Sequence, residues 1–151
     1  MNAIRTRLLI GLAALVFATV GAEDNDAAKT DQAQLQGEWT LVYGERDGQA
    51  FSSEFMKGSK RVTKDDETAV MVQGQLFMKA KFSLDPSKTP KTIDYTVTGS
   101  TYTGKTQLGI YEIEGDKVKF CFSTPGQERP TDFTTKPKDR RTSTIWKREK
   151  K

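Results

Sequence analysis

Five carboxylates, Asp85, Asp94, Glu112, Asp116 and Asp132, fall on or beside segments that alternate apolar and polar residues. Two carboxylates at the right separation can cleave a glycosidic bond, and that is the most accessible catalytic arrangement this composition leaves open. Histidine is absent. Its absence excludes histidine triads, histidine general bases and the usual histidine-ligated zinc sites. Most of the five acids stand at strand ends or in turns, where a carboxylate caps a turn or blunts a sheet edge. A carboxylate-dependent hydrolase is therefore the third and most distant reading, and we expect no catalytic residues. Asp65-Asp66-Glu67 brings oxygen donors together, but a calcium loop needs further acids at set spacing. We read a solvated turn there, with no metal and no cofactor. Cys121 is the single cysteine. A nucleophilic thiol wants a neighbouring base. Lys119 is one neighbour; a small residue packed on the second face of its sheet is the simpler reading. An exposed Cys121 would instead be able to join two chains.

The elements that must position these residues are almost all strands. Trp39–Tyr43, Lys60–Thr63 and Thr68–Val72 read as strands, with Asp47-Gly48, Asp65-Asp66-Glu67 and Gln73-Gly74 as turns. Leu76, Met78, Ala80, Phe82 and Leu84 alternate with polar neighbours and with Phe77, which predicts a long strand with one buried face. Ile93, Tyr95 and Val97 repeat the pattern. Gln107–Ile113 and Lys117–Phe122 flank Glu114-Gly115-Asp116 as a hairpin, with Phe120 and Phe122 on one face and Cys121 on the other. Thr131–Thr135 and Thr142–Arg148 complete the set. Ser52–Gly58 is the one helix signal in this part of the chain: a serine cap, Phe55 and Met56 on a face, and Gly58 as a stop. About nine short strands at hairpin spacing, with no repeat, predict an all-β fold, a meandering antiparallel barrel or sandwich.

The chain has 151 residues, a length that suits one domain. Residues 1–22 have the form of a signal peptide: Arg5 and Arg7, an apolar run Leu8–Val20, and small residues up to Ala22. That run is short for a membrane span. We expect cleavage before Glu23, export to a periplasmic or extracellular location, and no stable membrane anchor afterwards. Losing Arg5 and Arg7 lowers the net charge from +4 to about +2. Charges so interspersed leave no nucleic-acid footprint. Residues 23–34 lack apolar periodicity and read as a flexible leader or a frayed helix. The domain proper is 35–149. One cysteine permits no intrachain disulfide, so an apolar core must hold it.

Three pieces resemble the lipocalins and their calycin relatives. Gly37-Glu38-Trp39 matches the Gly-x-Trp that opens their first strand. Thr131-Asp132-Phe133 resembles their Thr-Asp-Tyr motif, with Phe for Tyr. Arg148 stands where they place a basic residue over the tryptophan, a stacking that contributes on the order of 0.5–2 kcal/mol. Over most of Leu35–Glu149 the chain is more closely similar to a family of small exported lipocalin-like domains abundant in planctomycete bacteria. Leu84-Asp85-Pro86, Pro90-Lys91-Thr92-Ile93-Asp94, Gly109-Ile110-Tyr111, Gly115-Asp116, Cys121, Pro125-Gly126, Arg129-Pro130 and Phe133 carry that similarity. It implies a lipocalin-like barrel of about eight to nine strands with one short helix. It implies no activity. Gly37, Trp39 and Arg148 would close the barrel.

An eight-stranded barrel is filled by side chains or holds one small ligand. Met78, Phe82, Tyr95, Tyr111 and Phe120, with Met71 and Phe77, are the candidates to line a pocket; otherwise they fill the core. The first reading is an exported, non-enzymatic binding module for a small apolar or amphipathic ligand. The rival is a filled barrel acting as an envelope-structural or protein-interaction module. Its partner, an envelope or extracellular protein, would meet the rigid loop that holds Glu128 and Arg129 between Pro125 and Pro130. The simpler reading of that loop is a stiff barrel-end connection with Arg129 paired to a local acid. An internal apolar cavity of roughly 300 Å³ or more separates the two readings.

Overall fold

The structure is a computed structural model and describes residues 20–150. Residues 1–19, most of the expected signal peptide, lie outside the described residues. The elements run α1 (Val20–Leu35), β1 (Gly37–Arg46), β2 (Gln49–Ala50), α2 (Ser53–Lys57), β3 (Ser59–Lys64), β4 (Glu67–Val72), β5 (Gln75–Asp85), β6 (Lys91–Gly99), β7 (Thr106–Glu114), β8 (Lys117–Ser123) and β9 (Arg141–Arg148). Every strand pairing is antiparallel. β1 and β3 to β9 follow one another in order, and β9 returns to pair with β1. The result is a closed eight-stranded barrel, with β2 as an extra short strand on β1. Closure removes the free sheet edges that so polar a β protein would otherwise expose.

Local sequence explains the connections. Asp47 (φ 51°) and Gly48 (φ 78°) take the left-handed backbone of a two-residue hairpin, as do Gln73 (φ 50°) and Gly74 (φ 78°). Ser52 caps α2 by accepting from the Phe55 N–H at 3.2 Å, and Gly58 ends the helix.

Two segments depart from the periodicity. Thr131–Thr135 is not a strand. Its threonines favour extended backbone, but the Asp132 carboxylate accepts from both the N–H (2.9 Å) and the hydroxyl (2.5 Å) of Thr134. A side chain that bonds the backbone two residues on makes a turn and competes with sheet pairing. In β5 the alternation breaks near its start. Val70 pairs with Met78 and Met71 with Leu76, so Phe77 is the extra residue of a β-bulge. Ala80 and Phe82 are buried, whereas Leu76 and Phe77 are 53% and 57% exposed.

Residues 23–34, read from the sequence as a leader or frayed helix, lie within α1, and the last turn of α1 is docked on one end of the barrel. Leu35 is buried against Trp39, and the Trp39 indole N–H donates to the Leu35 carbonyl at 3.0 Å. Asp31 is buried as well. It accepts from the Tyr111 hydroxyl at 2.7 Å and from Lys91 Nζ at 2.8 Å. Arg148 pairs with Trp39 across the β1–β9 seam, with its guanidinium carbon 4.2 Å from the indole centroid. The same guanidinium donates to the carbonyls of Gln36 and Gln34. Together these groups make a filled floor.

The long connection between β8 and β9 wraps the outside. Arg129 donates to the carbonyl oxygens of Ile93 (3.3 Å) and Gly109 (2.9 Å) and pairs with Asp94 at 2.7 Å. Farther along, Thr135 donates to Glu45 of β1 at 2.9 Å. Ile110 and Cys121, neighbours across β7 and β8, face away from the barrel interior yet are fully buried. A strand buried on both faces needs a second layer, and this connection supplies it.

Candidate functional site

The strands run from the floor to an opposite end, and that end is open. β1 starts at the floor with Gly37 and ends at Arg46. β6 starts with Lys91 at the floor and ends at Gly99. At the far ends of these strands lies a cavity of about 600 Å³. Apolar and aromatic side chains dominate its wall: Leu41, Phe51, Phe55, Val70, Phe77, Met78, Phe122 and Trp146. Tyr95, Gln107, Thr142 and Thr144 add polar groups, and Ser100, Thr101 and Tyr102 of the β6–β7 loop stand at the rim.

Each part of the wall has a local cause. The bulge in β5 turns Phe77 to the mouth beside Met78, where its ring meets Phe55 edge-on at 6.2 Å. Phe51 packs on Phe55 at 4.9 Å, so the β2–α2 segment roofs one side. Gly109 has no side chain, and Phe122, its partner across the strands, lays its ring over the space. A Cβ at Gly109 would stand 2.5 Å from that ring. Phe122 then packs on Tyr95 with ring centroids 4.1 Å apart.

The sequence-derived pocket candidates divide between two levels. Met78 and Tyr95 line the cavity. Phe82, Tyr111 and Phe120 lie deeper, in the core cluster that includes Trp39, Val118 and Ile93. Tyr111 belongs to the floor through Asp31, and burial with that hydrogen bond pushes its phenol pKa upward. Gly37, Trp39 and Arg148 stand together at the floor. Gly37 takes φ 106°, where a side chain would be strained and its Cβ would sit 3.4 Å from Arg148 Nη1. In the loop after β8, Glu128 is exposed, and its carbonyl accepts from the Ser123 hydroxyl at 2.5 Å. Arg129 is engaged by β6 and β7, as described above.

None of the five sequence-flagged carboxylates lines the cavity. Asp85 and Asp132 accept from Ser87 and Thr134 respectively, and those bonds lower both carboxyls. Glu112 is raised by a hydrogen bond shared with Glu114. Asp94 pairs with Arg129, and Asp116 lies 4.0 Å from Lys147. Burial pushes the Cys121 thiol up to about 12. Among the described residues, no group of three or more acids and cysteines is placed to hold a metal ion.

Arg61 is the residue that sequence reading did not single out. It lies in the middle of β3, points inward and is 5% exposed. Its guanidinium carbon is 4.7 Å from the ring centroids of both Phe120 and Trp146. Nη1 donates to the Tyr95 hydroxyl at 2.7 Å and to the Thr68 hydroxyl at 3.1 Å. Arg61 also lines the cavity. Fold and site thus define a class: a closed antiparallel barrel with a filled floor and one apolar, arginine-bearing cavity at its mouth. Comparison of the chain with family models, curated proteins and solved structures finds no match.

Proposed function

We propose that this protein is an exported, non-enzymatic binding module that takes a small apolar or amphipathic molecule into the mouth of its barrel. The observation that carries this reading is the cavity. A barrel by itself implies no ligand. An apolar, concave space of about 600 Å³ with a few converging polar groups is the kind of site that receives one. Its mouth is built from aromatic rings and Met78, side chains that adapt to apolar ligands of differing shape. Export rests on the form of residues 1–22.

Titration with the uncharged fluorescent probe N-phenylnaphthylamine tests the reading. The expected result is saturable enhancement at about one probe per chain, with micromolar affinity. Val70→Trp, which fills the cavity from β4, should abolish the enhancement while circular dichroism stays that of the parent. Native mass spectrometry of protein purified from its host should show carried small-molecule mass. A protein that carries nothing and gives no saturable probe signal would overturn the reading.

A further inference from the structure

Seven ion pairs occur among the described residues, and Arg61 is in none of them. A buried charge without an opposite charge is costly, and folds keep few of them. The stacked rings of Phe120 and Trp146 offset part of that cost. The hydrogen bonds do not complete the compensation. A guanidinium has five N–H donors in a planar fork. Nη1 uses two of them on Tyr95 and Thr68. Nε is buried with no partner. Nη2 has no partner among the described residues and is not enclosed, so its donors are the ones left to a guest carboxylate.

The surroundings favour a negative guest. Nineteen residues line the cavity; two are arginines, Arg46 and Arg61, and none is an aspartate or glutamate. Tyr95 accepts from Arg61 through its hydroxyl oxygen, so its own O–H remains available to donate. Beyond Arg61 the wall towards the mouth is apolar, through Val70, Met78, Phe77, Phe55 and Phe51.

We propose that Arg61 anchors the acid group of the ligand, and that the ligand is an amphipathic monocarboxylate bound head inward. Its carboxylate meets Nη2 of Arg61 and the Tyr95 hydroxyl, and its hydrocarbon tail runs to the mouth along Met78, Phe77 and Phe55. This inference deepens the binding reading and rests on it. It supplies the missing counter-charge: the ligand completes an ion pair in low dielectric that the chain leaves half built.

The test compares dodecanoate with dodecanol, which shares its chain length and lacks the charge, each displacing N-phenylnaphthylamine from the full chain stripped of carried lipid. The acid should bind at least about tenfold more tightly than the alcohol. Arg61→Met should weaken dodecanoate by about tenfold or more and leave dodecanol within about threefold. Tyr95→Phe keeps the ring and should weaken only the acid. If Arg61→Met fails to fold, the acid-to-alcohol ratio of the parent and the Tyr95→Phe variant decide the matter. Carboxyl-labelled dodecanoate adds a readout that a structural role for Arg61 would not produce. Its carboxyl resonance should stay that of the ionised form when the free acid is protonated. Equal affinities for acid and alcohol would overturn the anchor and leave the binding module standing. Failure of the probe itself to bind would remove both.

Discussion

Two arginines stack on the two tryptophans of this chain, one pair at each level of the barrel, and they do different things. Arg148 lies 4.2 Å over Trp39 at the floor and donates to the backbone carbonyls of Gln36 and Gln34. Its donors meet the chain's own acceptors. Arg61 lies 4.7 Å from Trp146 and is more deeply buried, yet Nε has no acceptor and the cavity has no acid. The same cation–π contact serves closure where the donors are satisfied and, in the function proposed above, reception where they are not. The difference between the ends is one of polar completeness, which decides whether a buried charge is a finished structural element or an unfinished site.

The largest expected effect separates the tryptophans. Trp39→Ala should cost about 3–5 kcal/mol in urea unfolding, because Trp39 is fully buried in filled core. Trp146→Ala should cost less, about 1–3 kcal/mol, because one side of Trp146 faces the cavity and loses fewer contacts. Equal costs would break the distinction between floor and mouth. Asp31→Ala comes next, at about 1–3 kcal/mol, since it strands the buried Tyr111 hydroxyl. Probe binding at the mouth should be unchanged in that variant. Arg148→Met should cost about 1–2 kcal/mol through lost stacking and lost carbonyl bonds. Arg61→Met in ligand-free protein should lie within about 1 kcal/mol of the parent or be more stable, since it removes an uncompensated buried charge. A large loss at Arg61 would mean that it props the core as Arg148 props the floor.

The last effect is nil at neutral pH and shows only as a slope at alkaline pH. Burial holds the Cys121 thiol at about 12, above its ordinary value of 9.0. The folded state therefore keeps a proton that the unfolded state gives up. Its contribution is full below pH 9 and is lost as pH rises towards 12. Stability should fall across that window, and Cys121→Ala should flatten the fall. Tyr95 and Tyr111, also raised by burial, should account for the alkaline slope that remains.

The floor was the legible part of this fold. Gly37-x-Trp39 is a local pattern, and Arg148 sits at the matching end of the last strand, opposite Trp39 in register. The meander was legible because Asp-Gly and Gln-Gly turns separate runs of period two. α1 was harder to read, because its anchors are one carboxylate, Asp31, and one leucine, Leu35, with no apolar stripe between. The mouth was hidden for a related reason. In Ser59–Lys64 the only apolar residue is Val62, so period-two logic turns Val62 inward and Arg61 out. The structure has the reverse: Ser59, Arg61 and Thr63 are buried and Val62 is 41% exposed. The inward face of β3 is polar because its partners, Thr68 and Tyr95, come from β4 and β6, and no spacing within one strand announces partners from others. The bulge at Phe77 is likewise set by pairing between strands.

The two tryptophans also provide the most direct test of an open mouth over a closed floor. Their indole N–H groups donate to different acceptors, Trp39 to the Leu35 carbonyl and Trp146 to the Thr144 hydroxyl. They should therefore give two resolved resonances in a nitrogen–proton spectrum. On titration with dodecanoate, the Trp146 resonance should shift saturably and the Trp39 resonance should stay in place. A spectrum in which neither moves, or in which Trp39 moves and Trp146 does not, would contradict the account.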